Sequence, residues 1–302
     1  MSSIIQVRDL TKSFKEILAV DHLTFTVNEK EVYGFLGQNG AGKSTTIRML
    51  LTLIEPSDGT IEIFGMPLKK NRNEILRRIG GIIEKPDLYK YLTAFENLSL
   101  FARISGVRLN KKQLMDQLEK VGLAGRAESK VSTYSQGMRQ RLGIAVALVH
   151  DPDLVILDEP LNGLDPQGMA DIRNLIIHLS KDMGKTVFIS SHLLSEMELV
   201  ADSLLIIDKG KKIVEGKMNT LLNPKTTDVE VEAGSIELLL QKLNDSRWKE
   251  SLRKSNSKKI TLHMNREEVP LFIKELSQLD VPLYSVRPKH SLEDYFLSLT
   301  VK

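Results

Sequence analysis

Apolar and polar positions along the first two thirds of this chain alternate between two rhythms. Residues 4–7 read as a short strand, and 23–27 alternate with period two, as a half-buried strand does. The continuous apolar run Val32-Tyr33-Gly34-Phe35-Leu36 predicts a buried strand, and a glycine-rich loop follows it. Helical spacing over 45–51 then turns Ile47, Leu50 and Leu51 inward. Further strands are predicted at 60–64 and at 79–83, the latter ending at Glu84. Thr93 with Glu96 forms a capping box for a helix to about 105. Asn110 caps another that ends near Gly122, so the two make a helical insertion. An apolar helix is expected over 142–150, and a buried strand over 154–157 delivers Asp158 and Glu159. Asp165 and Pro166 start a helix as cap and first residue. The strand at 186–189 ends at Ser190-Ser191-His192, and 204–208 with 211–214 form a hairpin across Lys209-Gly210. Buried strands alternating with helices imply a mainly parallel sheet covered on both faces. Such sheets bind ligands at the carboxyl ends of their strands. The glycine loop, Glu84, Asp158-Glu159 and His192 all fall there.

Near Asn223-Pro224 the rhythm changes. Strands at 228–231, 259–263 and 283–286 alternate with helices at 236–243, 267–279 and 292–299. This predicts a small α+β domain over 223–302 beside a larger α/β domain over 1–222. The basic stretch from Arg247 to Lys259 carries the one tryptophan, Trp248, and reads as a solvated loop; nucleic acid is not expected as a partner.

Composition narrows the possibilities. With 302 residues, about two domains are expected. The absence of cysteine excludes disulfides and thiolate metal sites. A net charge of +3 is too small to argue for a nucleic-acid partner. The longest apolar runs, such as 144–149, fall far short of a membrane span, and the N-terminus has no basic-then-apolar leader. A cytosolic protein is expected, with any membrane role exerted through a partner.

The candidate chemistry starts at Gly37-Gln38-Asn39-Gly40-Ala41-Gly42-Lys43-Ser44-Thr45, two glycines four residues apart followed by Lys and Ser between strand and helix. Glycines let successive N–H groups curl around an anion, and the helix start adds partial positive charge. Lys43 is expected on the β- and γ-phosphates of a nucleotide and the Ser44 hydroxyl on Mg²⁺. Asp158 is expected to hold Mg²⁺ through its water shell, and Glu159 to polarise the water that attacks the γ-phosphate. His192 is placed to hydrogen-bond that phosphate. His22, His150, His178, His263 and His290 show no ligand spacing and read as structural.

These stretches, with Tyr134-Ser135-Gln136-Gly137-Met138, Leu157-Asp158-Glu159-Pro160 and Asn162-Gly163-Leu164-Asp165, stand in the order and spacing of ABC transporter ATPase subunits. The resemblance covers residues 4 to about 222. In detail the sequence is similar to the ATP-binding subunits of bacterial drug, bacitracin and lantibiotic exporters, including the ending Ser291-Leu292-Glu293-Asp294-Tyr295-Phe296. It implies a P-loop ATPase fold with an antiparallel N-terminal β subdomain. It implies ATP and Mg²⁺ as cofactors, with Gly37, Asn39, Gly40, Ala41, Gly42, Lys43, Ser44 and Thr45 around the phosphates. Ser44, Glu84 and Asp158 would face the metal, and Lys43, Glu159 and His192 the chemistry. Phe14 matches the residue that stacks on adenine, with a core residue as the alternative. Ser135 and Gly137 match the signature loop, which clamps the ATP of the opposite subunit in a homodimer. Asp165 matches the loop linking the two sites. Segment 84–101 matches the groove that receives a helix of a separate membrane permease. The protein would then be an ATPase on the inner face of the membrane, powering export of a peptide antibiotic or drug. A soluble ABC ATPase acting on ribosomes or DNA, or a non-hydrolysing regulatory module, are the alternatives. Three departures stand out. The signature is Tyr-Ser-Gln-Gly-Met where Leu-Ser-Gly-Gly-Gln is usual, Asn162-Gly163 replaces Ser-Ala, and Glu84 replaces a glutamine. The C-terminal domain would support the dimer or regulate it.

Overall fold

The structure, a computed structural model, describes residues 2–221 and 226–289. It divides into two compact units, Met1–Met218 and Asn219–Lys302. The expected boundary at 222/223, the helix at 292–299, His290 and the ending at 291–296 lie outside the described residues.

In chain order the first unit runs β1 (Ser3–Phe14), β2 (Ile17–Asn28), β3 (Val32–Leu36), α1 (Lys43–Leu50), β4 (Asp58–Ile63), β5 (Met66–Pro67), α2 (Arg72–Leu76), β6 (Ile79–Ile82), α3 (Ala94–Ile104), α4 (Lys111–Lys120), α5 (Gln136–Ala147), β7 (Leu154–Leu157), α6 (Pro166–Lys181), β8 (Thr186–Ser191), α7 (Leu194–Glu198), β9 (Ser203–Asp208) and β10 (Lys211–Lys217). The turn α8 (Met218–Leu221) follows. A six-stranded sheet has the order β10-β9-β3-β8-β7-β6, parallel except for β10 at its edge. Every residue of β3, β7 and β8 is buried, which accounts for their unbroken apolar pattern. A second sheet, β2-β1-β4-β5, is antiparallel. The two meet over one aromatic cluster: the Phe25 ring lies 5.9–6.2 Å from those of Tyr33, Phe35 and Phe188. The Tyr33 hydroxyl donates to Glu215 Oε1 (2.8 Å), and burial pushes that phenol well above its ordinary pKa. Glu215 Oε1 also accepts the Thr26 N–H (3.1 Å), so one carboxylate joins both sheets.

Several elements exceed their sequence signals. The strand expected at 4–7 continues to Phe14, because register shifts and a left-handed Asp9 (φ 48°) break its alternation without ending it. The helix expected at 142–150 begins at Gln136, capped by Ser135, whose Oγ accepts the Met138 N–H. Its polar first turn hid that start. The capping boxes at Thr93 and Asn110 are both formed.

The second unit contains β11 (Thr226–Ala233), α9 (Ile236–Asn244), β12 (Leu252–Ser255), β13 (Lys259–Asn265), α10 (Val269–Leu276) and β14 (Leu283–Lys289), with its strands in the order β12-β13-β11-β14. It has its own core, built on Val229, Val231, Leu239, Leu262 and Phe272. The basic stretch there is not the expected loop. Trp248 is buried, its ring 5.1 Å from that of Phe272 and its Nε1–H on Glu275 Oε2 (2.8 Å). Arg247 binds the same carboxylate through Nε and Nη2. An apolar ring with an ion-paired neighbour can pack inside, which the local charge concealed. No described helix is long and apolar enough to cross a membrane.

Candidate nucleotide site

The carboxyl ends of β3, β6, β7 and β8 lie side by side, since Leu36 pairs with Ser191, Leu157 with Ile189 and Ile82 with Leu157. The loop at 37–42 leaves β3 there. Gly40 and Gly42 take φ values of 84° and 105°, which glycine alone adopts cheaply. Gly42 is also crowded: an added Cβ would lie 2.6 Å from the Ala19 carbonyl oxygen. Helix α1 starts at Lys43 with no side-chain cap and no acidic residue in its first turn, so its own side chains do not occupy its leading N–H groups. Gln38, Asn39 and Gly40 are exposed, and Ser44 and Thr45 half-exposed.

Lys43 is buried. Its Nζ donates to the carbonyls of Gly37 (2.6 Å) and Gln38 (3.2 Å) and lies 3.1 Å from Glu159 Oε1. The other oxygen of Glu159 meets His192 Nδ1 at 2.8 Å. Glu159 has a left-handed backbone (φ 49°), an uncommon conformation for glutamate that its surroundings enforce. Ser190 provides part of that enforcement. Its Oγ accepts the Glu159 N–H (2.9 Å) and donates to Asp158 Oδ1 (2.5 Å). Asp158 is 1% exposed, and its Oδ2 has no protein partner. A buried carboxylate oxygen with no partner beside a phosphate loop suits a hard divalent cation.

Sequence reasoning brought Lys43, Asp158, Glu159 and His192 to one edge, and the structure joins Lys43, Glu159 and His192 directly. It missed Ser190, for which a serine ending the apolar strand that follows the acidic pair's strand was the signal. Glu84, expected at the metal, is exposed and gives Oε1 to Arg48 Nη2 at 2.7 Å. Arg48, on the outer side of α1, carried no signal. Phe14 is no core residue. Its ring is 44% exposed at the tip of β1 with Lys12 Nζ 4.9 Å above it.

Ser135 and Gly137 open α5, Ser135 exposed and Gly137 half-exposed. Burial pushes the neighbouring Tyr134 phenol up, and its hydroxyl donates to the Arg126 carbonyl (2.7 Å). Gln136 Nε2 donates to the Asn162 carbonyl at 3.1 Å. Asp165 caps α6 through Gly168 N (3.2 Å). The segment after β6 exposes Tyr89 and Tyr91, with ring centroids 5.8 Å apart. Buried Asn97 holds it by bonding the backbone N–H and carbonyl of Tyr89. Its start is wedged on α5: an added Cβ at Gly143 would lie 2.4 Å from Pro86 Cγ.

Comparison with known proteins agrees with this arrangement. A family model described as ABC transporter matches residues 20–162. The bacitracin transport ATP-binding protein BcrA of Bacillus licheniformis is 44% identical over 304 residues, covering 99% of this chain and 98% of its own. This chain belongs to the ABC transporter ATP-binding family. The lantibiotic transport ATP-binding protein SrtF of Streptococcus pyogenes is 40% identical over 70% of this chain and 90% of its own. Among solved structures, a dimeric ATP-binding cassette in a post-hydrolysis state, bound to ADP and Pi, superposes with a TM-score of 0.64 at 25% identity, covering 71% of this chain and 99% of that one. The protein is an ATP-binding, ATP-hydrolysing subunit of an ABC transporter, and action on ribosomes or DNA is not favoured.

Proposed function

We propose that two copies of this chain close around two ATP molecules, power a separate membrane permease and export a peptide antibiotic. The group formed by Lys43, Glu159, His192, Ser190 and Asp158 carries the reading. The glycine loop and Lys43 bind the β- and γ-phosphates. Asp158 and Ser44 would hold Mg²⁺, which would supply neutralisation of the phosphate charge. A γ-phosphate within reach of Lys43 competes for the ammonium with Glu159, releasing the carboxylate to take the proton of the attacking water. His192 orients that carboxylate through its Nδ1 contact. Thr45, Asn39 and the loop glycines surround the phosphates, and Phe14 stacks on the base. Ser135 and Gly137 reach the partner's nucleotide, and Asp165 sits between the two sites. Glu84, held by Arg48, reaches the metal only if that ion pair opens.

The exposed Tyr89 and Tyr91 are the docking surface for the permease, which would hold the chain on the inner face of the membrane. The substrate class rests on the bacitracin and lantibiotic transporters to which the chain is similar. The division into a nucleotide-binding domain and a C-terminal accessory domain near residue 222 belongs to the same reading. Glu159→Gln tests it: the variant should bind ATP, fail to release phosphate, and elute as a dimer with ATP by light scattering. A variant that stays monomeric with ATP, or turns over at the parental rate, overturns it.

A further inference from the structure

Two of the places where this sequence departs from the ABC pattern touch each other. Position 136 holds Gln where the signature usually has Gly, and 163 holds Gly where Ala is usual. In the structure the Gln136 side-chain amide donates to the Asn162 carbonyl at 3.1 Å. Gly163 sits beneath that amide with φ 73°, and an added Cβ there would lie 2.8 Å from Gln136 Nε2. An alanine there would be strained by the positive φ itself and would also push the amide away from its place over Asn162. The pair therefore works as a unit: a glycine that leaves room and a glutamine that uses it.

The turn it holds is the one that carries Glu159. The Asn162 N–H donates to the Glu159 carbonyl at 3.1 Å, so one residue, Asn162, separates the glutamine amide from the backbone of Glu159. The same junction is closed beside it. An added Cβ at Gly137 would lie 3.7 Å from the Gly168 Cα, so the starts of α5 and α6 abut, and Asp165 caps α6 there. The Gln136 amide spans from the first residue of α5 to the turn at 159–163.

We propose that Gln136 is a positioning residue that fastens the signature loop to the Glu159 turn within one subunit. It rests on the two-copy reading above. In that dimer the signature loop serves the partner's nucleotide and Glu159 serves the chain's own. A fastening between them sets both sites together, and its effect is on cooperativity between sites rather than on folding. Gln136 is exposed, so its replacement leaves no buried group unpaired.

The test measures phosphate release against Mg-ATP concentration for the full chain and for Gln136→Met, Gln136→Ala, Gly163→Ala and the double variant Gln136→Ala/Gly163→Ala. Methionine keeps the bulk and loses the donor. Losing one side-chain hydrogen bond of ordinary strength should lower the maximal rate about five- to tenfold in both Gln136 single variants and bring the Hill coefficient toward unity. Melting temperatures of the two Gln136 single variants should stay at the parental value. Gly163→Ala should cost at least about threefold less when glutamine is absent than when it is present, the mark of a coupled pair. If the parent is cooperative and the Met and Ala variants match it in rate and Hill coefficient, the fastening is overturned while the two-copy reading stands. If the parent itself neither hydrolyses ATP nor dimerises as Glu159→Gln, both fall.

Discussion

Ser190→Ala removes one oxygen from a fully buried position and unpairs two groups at once. The hydroxyl donates to Asp158, itself 1% exposed, and accepts from the Glu159 N–H. A hydrogen bond to a charged acceptor contributes about 1.5–3 kcal/mol, and a buried N–H left unpaired costs about 1–3 kcal/mol. Partial relaxation puts the combined loss near 3 kcal/mol, and at about 2–4 °C per kcal/mol the melting temperature of the first unit should fall about 6–12 °C. The kinetic loss should be larger than stability alone explains, because the serine holds both the Asp158 carboxylate and the Glu159 backbone. A displacement of about 1 Å at a reacting group costs on the order of 100-fold. Ser203→Ala is the matched control. Its hydroxyl also donates to a carboxylate, Glu31 Oε2 at 2.8 Å, but at the start of β9, away from the carboxyl edge. Calorimetry and saturating Mg-ATP turnover, both below the melting transition, separate the two. Ser203→Ala should lose stability and keep its turnover. Parental turnover in Ser190→Ala, or an equal kinetic loss in both variants, refutes the role given to Ser190.

Gly42→Ala forces a left-handed alanine and a 2.6 Å approach to the Ala19 carbonyl; ATP affinity by calorimetric titration should drop at least about tenfold, since the strain alone is of order 1–3 kcal/mol. Parental affinity would mean the loop does not cradle phosphate. Burial raises the Tyr33 phenol in the folded state above its ordinary value of 10.0, so its contribution is complete below that pH and is lost as pH rises past it. The parent should therefore lose up to about 1.4 kcal/mol per pH unit in denaturant melts above about pH 10, a slope absent from Tyr33→Phe. Trp248→Ala removes the ring packed on Phe272 and should destabilise the second unit by about 3–5 kcal/mol, seen as a separate calorimetric transition while ATP turnover persists.

Elements with unbroken apolar runs or explicit caps were legible in the sequence: β7 at Leu154–Leu157, α6 behind Asp165-Pro166, and α3 behind Thr93. Their signals are local, so one window contains them. Elements stabilised from a distance were not. Strand β12 lies in a charged stretch and is held by pairing with β13, and α7 has five residues and no side-chain cap. The site divides the same way. Lys43, Asp158 and Glu159 are marked by motif spacing. Ser190 and Gln136 matter through contacts that span 32 and 26 residues, and Arg48 reaches Glu84 across 36, separations no local pattern records.

Where Pro86 meets Gly143, a rigid ring lies against bare backbone, with no side-chain torsion on either partner to take up play. Most helix contacts have compliance of this kind, because long side chains bend before backbones move. This one lacks it. A load applied at Tyr89, which Asn97 clips to α3, would arrive at α5 without backlash. Fitting even a methyl group at Gly143 would therefore loosen the gearing rather than merely crowd it.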